Sequence, residues 1–262
     1  MEDYQYIIPS EKYSVIHNLI DTNLFDYVPK KAGDRKKLLS IRPFASKVYA
    51  NDLTVNAILE LSKESWFSDL EVAIYGQGPL FGDILAPLRQ FPNVKIENAF
   101  LTQSEIAQLH KEFGIFLSPT RMDTQGVSRD EAMSSGLVPV TNNVTAIPEF
   151  VDETCGILAP GEDYKAMAAG IARLYHDPEL FLRMSENAAK RVRSQTSREY
   201  TIDKEIRIIF PRSNHPNTPV DSIHGGETKK DDSSSDEDSH PRKISIFGSC
   251  VSRDCFRIAP HQ

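Results

Sequence analysis

Cysteine is scarce in this sequence, and long apolar runs are missing. The three cysteines, Cys155, Cys250 and Cys255, are odd in number and match no zinc ligand spacing. This pattern fits a reducing, cytosolic compartment better than a secreted one. No stretch approaches the roughly 18 apolar residues that a membrane span needs, and Met1 to Tyr4 do not begin a signal peptide. We therefore expect a cytoplasmic protein and leave open peripheral association with the inner face of the membrane.

Excess positive charge is also missing, since the chain has 30 Lys and Arg but 37 Asp and Glu, which gives a formal net charge of −7. The chain thus lacks a basic footprint for nucleic acid, and we expect no such partner. Much of the acid lies in one short run, residues 231–238, which is typical of a solvated linker. Apolar residues make up 40% and charged residues 26%, as in ordinary globular proteins.

What the sequence does contain is an alternation of strand and helix patterns, which predicts a parallel sheet with helices on both faces, a Rossmann-like α/β fold. A further short strand is predicted at Val15–Ile16, and Asp52 is predicted as a helix N-cap. In such sheets a ligand binds at the carboxyl ends of the strands. The predicted strands cover 38–41, 70–75, 94–96, 114–119 and 138–140, and the predicted helices cover 52–63, 80–89, 104–113, 129–135, 147–151, 164–175 and 178–193.

Changes in composition divide the chain into four segments. Residues 1–34 are interpreted as a leading segment, the remnant of an interdomain hinge, and residues 35–210 as the folded α/β domain. Residues 211–242 are rich in proline, glycine and acid, which predicts a disordered linker. The apolar residues that follow, 243–262, read as the truncated start of a second domain.

The residues best suited to chemistry follow the strand predicted to end near Ser118. Asp123 and Glu131 lie eight positions apart, one in a loop and one in the next helix, with Gly126 between them. Carboxylates accept hydrogen bonds from sugar and ribose hydroxyls. A helix N-terminus offers free N–H groups that suit a diphosphate, and glycine permits close approach of a ligand. Together these features predict a sugar-nucleotide site.

This stretch resembles the Glu-x7-Glu motif of family 4 retaining glycosyltransferases, which have the GT-B fold. The similarity continues through residues 132–140, 147–151 and 156–163, and the opening at 15–21 resembles that family's passage into its C-terminal domain. The similarity covers roughly residues 12–200. It implies the C-terminal, nucleotide-sugar-binding half of a GT-B enzyme.

The resemblance assigns a role to each matching position. Glu131 would accept hydrogen bonds from the ribose, and Asp123 would face the donor sugar. Arg42 and Lys47, two cations at the end of a parallel strand, would stabilise the leaving diphosphate; outside this context they would read as a solvated surface pair. No cofactor and no metal are expected. The predicted donor-binding backbone comprises Gly126, Val127 and Ser128, together with Gly76 and Gly78, whose Gly-x-Gly-Pro turn reads equally well as a tight strand–helix turn.

The resemblance also sets the functional expectation. The chain should bind a nucleotide-diphosphate sugar, with UDP the commonest carrier in the family, for retaining transfer to a cell-surface polysaccharide or similar glycan acceptor. The N-terminal lobe that would complete the cleft is missing, so the alternative is a noncatalytic sugar-nucleotide-binding module that needs a separate lobe. A sugar-nucleotide epimerase of related fold ranks lower, because such enzymes lack this ordered set of acids and cations.

Three details depart from or extend this picture. Asp123 is one methylene shorter than the Glu usual in the family, which bears on donor preference. His17 stands where proline is common and is interpreted as a surface or packing residue. Phe247-Gly248-Ser249-Cys250 resembles the first block of SGNH-type hydrolases, with Ser249 in the nucleophile position; its partner histidine would lie beyond this chain.

Overall fold

The computed structural model of the chain describes residues 14–210. The predicted linker (211–242), the predicted start of a second domain (243–262) and Ser249 lie outside the described residues, as do residues 1–13 of the leading segment. These interpretations therefore stay predictions.

Six parallel strands form one sheet in the order β3-β2-β1-β4-β5-β6. The strands are buried on both faces, which explains why the sequence reads as short apolar runs rather than as alternating apolar and polar residues. The strands are β1 (Lys37–Ile41), β2 (Glu71–Gly76), β3 (Val94–Asn98), β4 (Ile115–Leu117), β5 (Val138–Asn143) and β6 (Ile157–Pro160).

Eight α-helices are present in the described part of the chain, and a 3-10 helix at Ala86–Gln90 continues the second of them. None of the described helices is long and apolar enough to cross a membrane. The helices are α1 (Asn51–Leu61), α2 (Phe81–Leu85), α3 (Gln103–Glu112), α4 (Val127–Ser134), α5 (Ile147–Phe150), α6 (Tyr164–His176), α7 (Pro178–Thr196) and α8 (Arg198–Ile209).

Helices cover both faces of the sheet, because successive strand residues point to opposite sides. Leu38 joins one apolar cluster with Ile58 of α1 and Ile171 of α6. Its neighbour Leu39 joins a second cluster with Ala132 of α4 on the other face. The predicted Rossmann-like fold is confirmed.

Two local predictions are wrong. Val15 and Ile16 form no strand; this segment instead packs on the last helices, where Lys204 Nζ donates to the Val15 carbonyl at 2.6 Å. The N-cap of α1 is Ala50, in the left-handed region at φ 48°, and not Asp52, which lies inside the helix. The Asp52 carboxylate is instead bonded to Arg121. Strand β6 and helix α8 were not predicted.

Candidate functional site

The loops that follow the six parallel strands lie along one edge of the sheet. At the centre of that edge β1 and β4 are neighbours, and the chain leaves them toward opposite sides of the sheet, which creates a switch point where α/β folds bind ligands. The loop after β1 carries Arg42 and Lys47, and the loop after β4 carries Asp123. Glu131 lies on α4, the helix that begins directly after this second loop.

Arg42 links the two loops. It is only 6% exposed, and its guanidinium donates to the Pro119 carbonyl at 3.3 Å and to Ser128 Oγ at 3.4 Å. It also lies over the ring of Tyr49, 5.4 Å from the centroid. Its buried Nε has no hydrogen-bond partner among the described residues. Burial lowers the pKa of Arg42, and the nearby Asp123 carboxylate opposes that shift. A buried cation with an unused donor favours an anionic ligand.

Lys47 differs from Arg42 in being exposed. It begins a short 3-10 helix, Lys47–Tyr49, and its carbonyl accepts a hydrogen bond from Arg121 Nη1 at 2.6 Å. Arg121 also forms ion pairs with Asp52 and Glu162, at 2.7 and 2.8 Å. The position of Lys47 therefore depends on a residue of the β4 loop that the sequence pattern did not single out.

The main chain of Asp123 is held on two sides. Its N–H donates to Thr145 Oγ1 at 3.2 Å, and its carbonyl accepts from the same hydroxyl at 2.5 Å. Its carboxylate accepts from the backbone N–H of Gln125 at 3.2 Å. Asp123 is half-buried, so its carboxylate is partly accessible while its backbone is fixed.

Helix α4 begins at Val127, within the stretch predicted to bind an anion. Gly126 is the N-cap, in the left-handed region at φ 87°, and an added Cβ there would lie 2.9 Å from Arg129 Nη1. Val127 and Ser128 form the first turn and are half-buried. The first N–H groups of a helix have no partner inside the helix and bind anions well.

Glu131 lies one turn further along α4. Burial raises the pKa of its carboxyl to about 7, and neighbouring Asp130 adds to the rise. A carboxyl with this pKa is partly neutral at physiological pH. A raised pKa in a cleft is a feature of functional sites.

A buried polar network lies beneath the loop after β4, and the sequence analysis missed it. Gln125 accepts from the backbone N–H of Asn18 at 2.6 Å and donates to the Asn18 carbonyl at 3.2 Å. Its amide also donates to Asp130 Oδ2 at 3.0 Å. Asp130 pairs with Arg129 at 2.7 Å, and both side chains are almost fully buried. Asn18 and Gln125 are 107 positions apart in sequence, so no local motif announces the bonds between them.

The two glycines of the predicted Gly-x-Gly-Pro turn lie against the loop that carries Arg42. A Cβ on Gly76 would come within 2.0 Å of the Arg42 carbonyl, and one on Gly78 within 2.3 Å of the Phe44 main chain. Gly78 has φ 145°. Both glycines let the β2 loop pack closely on the β1 loop, so the structure favours the tight-turn interpretation, and direct donor contact at these positions stays a prediction.

Among residues 14–210, no three His, Cys, Asp or Glu side chains come together in a way that could hold a metal ion. Cationic groups at this edge include Arg42, Lys47 and Arg121.

A Rossmann-like domain with this strand order and a cationic switch point is the class to which the C-terminal halves of GT-B proteins belong. Residues 35–177 match the family described as glycosyl transferases group 1, and the chain belongs to that family.

Two curated relatives are named as enzymes of bacterial lipopolysaccharide core and capsular polysaccharide biosynthesis. The chain is 28% identical over 215 residues to the lipopolysaccharide core biosynthesis mannosyltransferase LpsB of Rhizobium meliloti (strain 1021), covering 75% of this chain and 59% of that protein. It is also 28% identical over 205 residues to the capsular polysaccharide biosynthesis glycosyltransferase CapM of Staphylococcus aureus, covering 76% of this chain and 48% of that one. The chain thus spans about half the length of these relatives.

Solved structures share the fold. A point mutant of S. aureus TarM, in complex with fondaparinux, alpha-GlcNAc-glycerol and UDP, superposes with a TM-score of 0.64 at 20% identity, covering 76% of this chain and 41% of TarM. The C-terminal domain of LpcC, a group 1 glycosyl transferase from Francisella tularensis, superposes with a TM-score of 0.59 at 16% identity, covering 68% of this chain and 99% of that domain.

Proposed function

We propose that residues 35–210 are the donor-binding lobe of a retaining glycosyltransferase that takes a nucleotide-diphosphate sugar, UDP-sugar first, for transfer to a cell-surface polysaccharide or similar glycan. The observation that carries the proposal is Arg42, a buried guanidinium with an unused donor at the switch point of the sheet. The names of LpsB and CapM favour a glycan product, and the UDP bound to TarM favours UDP as the carrier.

The chemistry assigned to the cations is stabilisation of the leaving group. As the bond between the sugar and the diphosphate breaks, negative charge grows on the diphosphate oxygens. Arg42, exposed Lys47 and the N–H groups of Val127 and Ser128 would meet that charge with little reorganisation, because Arg42 is already held by Pro119 and Ser128. In this proposal they take the place of a metal ion.

The two carboxylates would orient the donor. Glu131 would accept hydrogen bonds from the ribose hydroxyls, and Asp123 from hydroxyls of the sugar. The acceptor would be bound by an N-terminal lobe that closes over this edge, since transfer needs proximity of the reactants and exclusion of water. We expect this reaction in the cytoplasm and leave open an association with the inner face of the membrane.

A second candidate is a noncatalytic sugar-nucleotide-binding module. It is favoured by Asp123, which is one methylene shorter than the glutamate usual at this position in family 4 enzymes. Both candidates require the same nucleotide site, so binding is the first measurement.

The test is thermal unfolding of the full chain with UDP, GDP, ADP or CMP at millimolar concentration. A ligand at a hundred times its dissociation constant stabilises by about 2.7 kcal/mol, which raises Tm by roughly 5–10 °C for a domain of this size. We expect a shift with one diphosphate that Glu131→Ala abolishes. Glu112→Ala, at the exposed end of α3, is the matched control and should keep the shift.

The possible outcomes separate the two candidates. Cooperative unfolding with no shift from any nucleotide would overturn the donor-lobe proposal. If a nucleotide binds, sugar transfer after addition of a separate N-terminal lobe would support the transferase. Binding without transfer under those conditions would support the noncatalytic module.

A further inference from the structure

Backbone strain in the described part of the chain is concentrated at the edge of the candidate site. The residues other than glycine with positive φ in residues 14–210 are Ala50 at 48°, Thr145 at 48° and Glu162 at 59°. They lie in the loops after β1, β5 and β6, all at the carboxyl ends of strands. For L-residues the left-handed region costs roughly 1–2 kcal/mol, and for a β-branched residue such as threonine it is a genuine outlier. Such strain typically persists where surrounding contacts enforce it, often at functional sites.

Two hydrogen bonds of the Thr145 hydroxyl go to the same residue. Its hydroxyl accepts from the N–H of Asp123 at 3.2 Å and donates to the carbonyl of Asp123 at 2.5 Å. The Thr145 hydroxyl thus both accepts a hydrogen bond from, and donates one to, the main chain of Asp123, which is 22 positions away in sequence. Thr145 is itself exposed, so the strain is not explained by packing of its side chain in the core.

We infer that Thr145 is a positioning residue that sets where the Asp123 carboxylate stands relative to the donor sugar, an inference that rests on the proposed function. An aspartate has one methylene fewer than a glutamate, so its reach depends more on where its backbone is fixed. The left-handed turn at Thr145 brings the hydroxyl to that backbone. Thr145 thereby determines sugar preference without touching the nucleotide.

Three substitutions at position 145 separate positioning from folding. Thr145→Ser keeps the hydroxyl. Thr145→Val keeps the branched shape and loses both hydrogen bonds. Thr145→Gly loses them as well but suits the left-handed backbone, so it should fold at least as well as the valine variant. A purely structural role would make the glycine variant behave like wild type.

The experiment measures dissociation constants by titration calorimetry on the full chain. The probes are UDP-glucose, UDP-N-acetylglucosamine and GDP-mannose, each compared with its bare nucleoside diphosphate. The readout is the ratio of the two constants, which isolates the contribution of the sugar. We expect Thr145→Val and Thr145→Gly to reduce the wild-type preference for one sugar nucleotide by about tenfold, the size of effect typical for lost hydrogen bonds. Binding of the bare diphosphate should stay within about twofold, and Thr145→Ser should match wild type.

A double-variant cycle tests the route through Asp123. In an Asp123→Ala background, Thr145→Val should change the ratio no further, because the carboxylate that it positions is gone.

The outcomes distinguish this inference from the proposed function. A wild type that binds none of the probes overturns the proposed function and this inference with it. A wild type that prefers a sugar nucleotide, with a valine variant that keeps the same preference, overturns the role of Thr145 alone. A wild type that binds diphosphate and sugar nucleotide equally also overturns the role of Thr145, since no sugar contact then exists to be positioned.

Discussion

Arg121 and Asp52 form a two-point ion pair, in which Nη1 donates to Oδ1 at 2.9 Å and Nη2 donates to Oδ2 at 2.7 Å. The same guanidinium bonds to Glu162 and to the carbonyl of Lys47. One side chain from the loop after β4 thus joins the start of α1, the loop after β1 and the loop after β6. These bonds hold the pKa of Asp52 below its usual value.

We predict that Arg121→Lys weakens nucleotide binding severalfold, because lysine is a point charge and cannot reproduce the planar fork that reaches all these partners. Arg121 is 28% exposed, so solvent screens the pairs and the loss of unfolding free energy should be modest, about 1 kcal/mol. Calorimetry and denaturant unfolding measure the two effects. Arg191→Lys is the control, since Arg191 pairs with Asp152 at a similar 29% exposure. Equal losses of affinity in both variants would contradict a role for Arg121 at the site.

We predict that Glu131 makes nucleotide binding depend on pH. The pKa of its carboxyl is about 7, and ribose hydroxyls are bound better by the ionised form. Affinity should therefore be full above pH 7 and fall as pH drops through 7, by roughly tenfold per pH unit well below the pKa if binding requires the carboxylate. Titrations from about pH 5.5 to 8.5 measure this dependence.

Glu131→Gln supplies the reference for that titration, because any remaining pH dependence then comes from the nucleotide phosphate. Subtracting the glutamine profile should leave a single transition near pH 7. Parallel profiles for wild type and variant would show that Glu131 does not titrate against the ligand.

Gly76→Ala should be costly because of where its methyl group would go. The Cβ would lie 2.0 Å from the Arg42 carbonyl and 2.8 Å from the ring of Phe44, so the β1 loop must move. We expect a loss of about 2–4 kcal/mol in unfolding free energy and loss of nucleotide binding. Gly82→Ala is the matched control within α2, since nothing lies within 4 Å of its Cβ position; it should be neutral or stabilising by up to about 1 kcal/mol. A stable Gly76→Ala protein that binds nucleotide normally would refute the close packing.

The sequence predicted the sheet better than the loops. Buried strands such as Leu38–Ile41 were recognised because parallel strands read as apolar runs between turn residues. Strand β6 escaped because Ile157–Pro160 is short and ends in proline, and α8 because it has only Thr201 buried. Asp52 was misassigned as a cap because its carboxylate is taken by Arg121, 69 positions away.

Some residues of the candidate site were predicted from the sequence, and others were recognised only in the structure. Asp123, Glu131 and Arg42 were predicted as site residues from local spacing and from resemblance, and their roles stay predictions. Arg121 and Thr145 were not found, because their importance lies in bonds between loops that are adjacent only in the folded chain. Periodicity and turn chemistry report on neighbours in sequence. Arg121 bonds across the switch point between β4 and β1, and Thr145 bonds between the adjacent loops after β5 and β4.

Under the proposed function, the bonds between Gln125 and Asn18 would couple the leading segment to ligand binding. The side-chain amide of Gln125 bonds to both the N–H and the carbonyl of Asn18. Gln125 directly precedes Gly126, the N-cap of α4. Coupled equilibria are reciprocal, so a ligand that orders the loop stabilises the attachment of Asn18 by the same factor by which attachment raises the affinity. A change in how the chain before Asn18 is held would therefore change the affinity of the loop for its ligand.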